Sequence, residues 1–193
     1  PKVGNELREK GVMAMILAIV GILIYVSFRF EWRFAIASVF ALIHDVSIAM
    51  GMLVIFEVDV NLDILAALLT ILGYSLNDTI IVFDRIREGL VTTKAKDLFA
   101  VINESVTRTL ARTTLTSLTT FFVVLTLFLF GGEIINGFAF TLLVGVIVGT
   151  YSSIFVASPL LKQFGFEVVS YRAKLAAKEQ RQKERDRMRS QFE

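Results

Sequence analysis

The sequence predicts an all-α fold: a polytopic membrane helix bundle of five transmembrane helices plus an amphipathic helix at the cytoplasmic surface. Three observations carry this. There are five apolar blocks, each close to the roughly 20 residues needed to cross the hydrocarbon core. Over 193 residues the chain is 55% hydrophobic and 20% charged, with mean hydropathy +0.68. A soluble domain carries more charge and spreads its apolar residues more evenly. The basic residues also gather in alternate connections, as the positive-inside rule requires of a multi-pass chain.

The first span is read at Gly11–Phe28 and the second at Phe34–Phe56, joined by the basic link Arg29-Phe-Glu-Trp-Arg33 with its interfacial Trp. The third, Ile64–Phe83, follows Glu57-Val-Asp-Val-Asn-Leu-Asp63, which has three acids and no base. Then come Asp84-Arg-Ile-Arg-Glu88 and a polar stretch to about Thr109. Within it Leu98, Val101, Ile102, Val106 and Leu110 recur near helical spacing, predicting an amphipathic helix over Lys94–Leu110. The fourth and fifth spans, Leu110–Phe130 and Gly137–Leu161, are joined by Gly131-Gly-Glu-Ile-Ile-Asn136. The tail, Ser170–Glu193, is rich in Lys, Arg, Glu and Gln and reads as a solvated or frayed helix, with no nucleic-acid partner expected.

Arg29, Arg33, Arg85 through Arg112 and the tail from Lys162 then lie in the cytoplasm, with the acidic links outside. Lys2, Arg8 and Lys10 run against this pattern, and a folded external domain ahead of Pro1 would explain them. The expected layout is residues 1–10 as the end of a periplasmic segment, 11–161 as the transmembrane bundle and 162–193 as a charged cytoplasmic tail. With Pro1 first and no signal-peptide n-region, the chain reads as part of a longer protein. Five spans place the two ends on opposite faces, so at least one further helix is expected upstream if the protein starts in the cytoplasm.

Asp78 lies inside the third span, with Asn77 beside it. An ionised group in hydrocarbon costs at least about 2.5–3.5 kcal/mol, so it needs a partner, a wet cavity or a proton. Such an acid can carry a proton across a bilayer. Asp78 sits roughly 9 Å inward of Asp84, and Thr116 roughly 9 Å inward of Leu110, with Arg112 one turn nearer the cytoplasm. Arg112 and Thr116 are therefore expected to reach Asp78 if the third and fourth spans are neighbours. The hydroxyls from Thr113 to Thr120 are read as mostly structural, a wetted half-channel being the alternative for those facing Asp78. His44 and Asp45 sit near the middle of the second span, and Ser38, Ala41, Asp45 and Ala49 share one face. His44, Asp45 and Asn77 are thus candidates for a secondary relay or for hydrogen bonds locking helices. Asp84, Arg85, Arg87 and Glu88 read as edge anchors. Gly137, Thr141, Gly145, Gly149, Ser153 and Ala157 recur every fourth residue, a stripe read as tight helix packing before a sliding contact. With no Cys and one His, neither a disulfide nor a metal cluster is expected.

Several ordered motifs resemble one family. Phe28-Arg-Phe-Glu-Trp-Arg33, Ala41-Leu-Ile-His-Asp45, Gly73-Tyr-Ser-Leu-Asn-Asp-Thr79, Val82-Phe-Asp-Arg-Ile-Arg-Glu88, Thr107-Arg-Thr-Leu-Ala-Arg-Thr-Thr114 and Gly131-Gly with Gly137-Phe are similar to the SecF subunits of bacterial protein translocases. These belong to the SecD/SecF family of the resistance-nodulation-division superfamily. The resemblance runs from about Pro1 to Leu161. It implies the last five helices of a six-helix subunit, half of a pseudo-symmetric bundle completed by a SecD-like partner. It also implies a place beside the SecYEG channel in the bacterial inner membrane, with exported preproteins as substrate and the proton-motive force as energy source. The family's proton relay maps onto Asp78, Arg112 and Thr116. A transport subunit, not an enzyme, is expected, without cofactor or metal. The alternative is half of a proton-coupled exporter of small molecules or lipids. In either case the Asp45 and Asp78 faces and the small-residue stripe are expected to need a partner's helices to cover them.

Overall fold

The computed structural model describes residues 2–190, with side chains from residue 4 onward; residue 1 and residues 191–193, the ends of the first segment and of the tail, lie outside the described residues. Helices α1 (Lys2–Arg29), α2 (Trp32–Ile55), α3 (Leu62–Thr92) and α4 (Leu98–Phe130) each run as one unbroken rod. The fifth span joins α5 (Glu133–Ser152), a π-helical turn (Ser153–Ala157) and α6 (Ser158–Gln163), and the tail forms α7 (Val168–Arg189). Five helices are long and apolar enough to cross a membrane, so this is a multi-pass membrane protein.

The amphipathic segment before the fourth span is helical, but it runs straight into that span as the first turns of a 33-residue α4. No Gly or Pro interrupts Leu98–Phe130, so nothing in the sequence forces a corner there. Local chemistry sets the helix starts. Asn61 Oδ1 accepts from the Ile64 amide at 3.0 Å and Asp97 Oδ2 from that of Ala100 at 3.3 Å, both N-caps. Gly132 supplies the positive φ (79°) that turns α4 into α5. The π turn coincides with the serines at its ends: Ser158 Oγ donates to the Ser153 carbonyl at 3.0 Å, adding a side-chain bond across the widened turn.

α3 is the central helix, packed on α1, α2, α4 and α5. The apolar core falls into two clusters. At the basic end, Phe34 stacks on Phe30 (centroids 5.6 Å apart) and meets Phe83 (5.0 Å) and Phe166 (5.3 Å) edge-on, pinning together the α1–α2 link, α3 and the linker to the tail. At the acidic end, Ala49, Leu53, Ile64, Leu68, Ile71 and Val144 pack together. A layer of buried polar groups lies between the clusters.

The small-residue stripe faces α3. A methyl group on Gly137 would lie 3.2 Å from Ile64, one on Gly145 would overlap Ile71, and one on Gly149 would lie 3.1 Å from Ser75 Cβ. The two backbones approach closely because these positions carry no side chain. Gly145→Ala is expected to destabilise the bundle by about 1–3 kcal/mol through overpacking. Gly51→Ala, where nothing lies within 4 Å, should cost nothing. Thermal unfolding of both variants in detergent, followed by circular dichroism, tests the contrast.

Candidate functional site

Two carboxylates occupy the polar layer. Asp45 stands on the buried α2 face formed with Ser38, Ala41 and Ala49, and it has no exposed surface. Its Oδ2 accepts from Ser75 Oγ of α3 and from Ser152 Oγ of α5, the latter at 2.8 Å, while His44 Nδ1 lies 3.0 Å from Oδ1. One side chain thus ties three helices. Ser152 joins it because Gly149 lets α5 settle against Ser75.

Asp78 lies one turn along α3 from Ser75 and is 1% exposed. Here the bonding is incomplete: its Oδ2 has no hydrogen-bond partner among the described residues, and neither has the buried hydroxyl of Thr113 on α4. The antiparallel register of α3 and α4 sets these two opposite each other. Tyr74 donates to Ser117 Oγ at 3.3 Å on one side of them, and Gly89 packs on Ser105 on the other. Thr150 Oγ1 of α5 lies 2.7 Å from Ser117 Oγ, and the Ser117 and Thr150 hydroxyls both face Asp78. Ser105, Thr109, Thr113 and Ser117 recur at every fourth position of α4 and all four are buried, so a column of hydroxyls runs from the basic end of the bundle to Asp78. Thr109 donates back to the Ser105 carbonyl at 3.2 Å and five further α4 threonines bond to their own helix in the same way. Thr113 does not, and its hydroxyl remains open to a water or a proton.

The depth argument brings Arg112 and Thr116 to the right height on the wrong side. Both are exposed, Thr116 Oγ1 donates to the Arg112 carbonyl at 2.9 Å, and neither makes a hydrogen bond or ion pair with Asp78 among the described residues. The reason is angular: Thr113 and Ser117 take the α3-facing side, and a neighbouring position on a helix points about 100° away. Asn77 is exposed for the same reason, next to Asp78 in sequence but off its face. The stripe and the two carboxylates also need no second chain for cover, because α2, α3, α4 and α5 bury them within this one. At the membrane edge Asp84 pairs with Arg29 at 3.3 Å and Glu88 with Arg85 at 2.7 Å. Ser75, Thr150 and Ser152 were not singled out as site residues from the sequence, and Thr113 only as one of a run of hydroxyls read as mostly structural. The four-residue phase of Ser105, Thr109, Thr113 and Ser117 is the signal that would have found the α4 column.

Comparison with known proteins places this arrangement. The family described as "Protein export membrane protein SecD/SecF, C-terminal" matches residues 1–167. The chain is 51% identical to the protein translocase subunit SecF of Helicobacter pylori (strain J99) over 193 residues, which is all of this chain and 60% of that protein. It is 50% identical to the protein translocase subunit SecDF of Brucella abortus over 167 residues, or 86% of this chain and 22% of that one. The crystal structure of SecDF from Thermus thermophilus, a translocon-associated membrane protein, superposes with a TM-score of 0.80 at 44% identity, covering 86% of this chain and 23% of that one. The chain therefore spans about 60% of the length of the SecF subunit it matches along its whole length. With a family match over residues 1–167 and a helical arrangement shared with SecDF, the chain belongs to the SecD/SecF family of protein export membrane proteins.

Proposed function

We propose that this chain is the membrane motor part of a SecF-type subunit, in which proton movement through Asp78 promotes protein export across the bacterial inner membrane. On this reading it works with a SecD-like partner beside the SecYEG channel and acts on exported preproteins. Family membership and the relatives named as translocase subunits support the export role. The single observation that carries the proton role is the unpaired Oδ2 of a buried carboxylate at the end of a column of hydroxyls. A carboxylate with spare bonding capacity beside a wettable path can take up and release a proton. Asp45, whose oxygens are all engaged, serves as the lock that holds α2, α3 and α5 while Asp78 changes charge. Arg112 and Thr116 act in the relay through motion. They face outward toward the partner, and α4 must turn, or the long Arg112 side chain swing inward, to bring a guanidinium to Asp78. A bundle that rocks against its pseudo-symmetric half would supply that motion.

Asp78→Asn is expected to abolish the stimulation of secretion by an imposed proton gradient in membrane vesicles, with ATP-driven secretion unchanged. Full retention of the gradient effect would remove Asp78 from the mechanism. The two acids should also separate in stability. Asp45→Ala strips Ser75 and Ser152 of the acceptor they share and should cost at least about 1–3 kcal/mol, whereas Asp78→Asn should be neutral or stabilising in detergent unfolding. Thr113→Val keeps the shape and removes the hydroxyl. It should slow gradient-driven secretion by at least about tenfold, less than the roughly hundredfold or more for losing a general acid or base itself, and leave the unfolding temperature in place.

A further inference from the structure

Arg172 ties the tail helix to the bundle by hydrogen bonds, beside the apolar packing of Val168 and Tyr171 on the core. Arg172 Nε donates to the Leu90 carbonyl at 2.6 Å, and a terminal guanidinium nitrogen donates to the Thr93 carbonyl. A cation thus caps the C-terminal end of α3, where free carbonyls carry the negative end of the helix dipole. This seats the first turns of α7 over the α1–α2 link. Between them opens a cavity of about 300 Å³ whose walls carry Arg29, Arg87, Lys174 and Lys178 over the rings of Phe30 and Phe34. Glu31 is the one acid on its wall.

The arginines are placed by their own contacts. Arg29 pairs with Asp84 at 3.3 Å, and Arg87 donates to the Arg29 carbonyl at 3.1 Å. Both guanidinium groups stand over the Phe30 ring, at 5.6 and 6.0 Å. Nearby Glu88 is held by Arg85. Lys174 and Lys178 have no ion-pair partner among the described residues. They stand one helical turn apart, where like charges repel unless an anion lies between them. With Arg29 paired to Asp84, Arg87, Lys174 and Lys178 stand against Glu31 and leave the cavity positive. Its depth is also informative: Arg87 lies roughly 6 Å beyond Phe83, where the apolar run of α3 ends, which is the level of lipid headgroups. Phe28, 89% exposed, begins the apolar outer surface of α1 immediately beside it.

We propose that this cavity is a phosphate site at the membrane edge, occupied by the headgroup of an anionic phospholipid whose acyl chains lie along α1. Basic pockets between helices at this level suit such headgroups, and the Arg29 and Arg87 forks suit phosphate oxygens. Binding would neutralise the lysine pair and fasten the tail helix to α1 and α3.

The test is native mass spectrometry of the full chain in neutral detergent with added phosphatidylglycerol or phosphatidylcholine. The chain should retain phosphatidylglycerol about tenfold more than phosphatidylcholine, given the attraction contributed by each basic residue near an anionic headgroup. Lys174→Gln with Lys178→Gln should bring the two lipids to parity. Arg181→Gln with Lys183→Gln removes the same charge from the same helix outside the cavity and should leave the preference intact. Millimolar inorganic phosphate distinguishes the sources: displacement of the lipid shows a site for phosphate from either source, and retention shows one for the lipid headgroup. Equal retention of the two lipids by the unmodified chain, or the same loss in both double variants, overturns the site.

Discussion

The close approach of α3 and α5 is the constraint on which the rest of the bundle depends. Without side chains at Gly145 and Gly149, the α5 backbone comes within contact distance of Ile71 and Ser75. Only at that distance can Ser75 and Ser152 share one oxygen of Asp45, and only then does Thr150 stand beside Ser117 and face Asp78. Shape complementarity matters more here than hydrophobic driving force, because lipid tails are as apolar as the side chains they would replace. The polar layer is a product of that fit, and the two apolar clusters on either side isolate it from the ends of the bundle.

The layer treats its two carboxylates differently. Asp45 is saturated by partners on α3 and α5 and by its own neighbour His44, and a saturated buried acid resists change. Asp78, one turn away, keeps an oxygen without a partner. Hydrogen-bond bookkeeping therefore separates a structural acid from a working one when depth and residue type do not. Placing both on α2 and α3 faces that meet α5 couples them: any shift of α5 that reaches Thr150 also strains Ser152.

Much of this was legible in the sequence. Length and hydropathy located the spans, and the shared face of Ser38, Ala41, Asp45 and Ala49 correctly turned Asp45 inward. The four-residue stripe identified a packing surface, which is now seen to be filled by α3 of the same chain. What failed was azimuth. Counting 1.5 Å per residue fixes how deep Arg112 and Thr116 lie but says nothing about which way they point. A neighbouring residue such as Asn77 shares the depth of Asp78 without its surroundings. The continuity of α4 was missed because a change from amphipathic to wholly apolar composition was read as a break in the helix. It marks only the point where one rod passes from surface to membrane.

The widened turn at Ser153–Ala157 bears on how this chain tolerates change in length. A repeat of four drifts by about 40° at each step on a regular helix, so the small residues from Gly137 onward would swing off α3 before reaching Ala157. Yet Ser153 and Ala157 remain buried with Gly145 and Gly149. The π turn holds in effect one surplus residue and resets the phase of the helix. Deleting a residue there would restore a regular helix and shorten it little, while rotating everything from Ser158 to the tail by about a quarter turn. In this span an indel acts as a torsion, and the genetic record of the family should tolerate side-chain exchange in the turn far better than any change in its residue count.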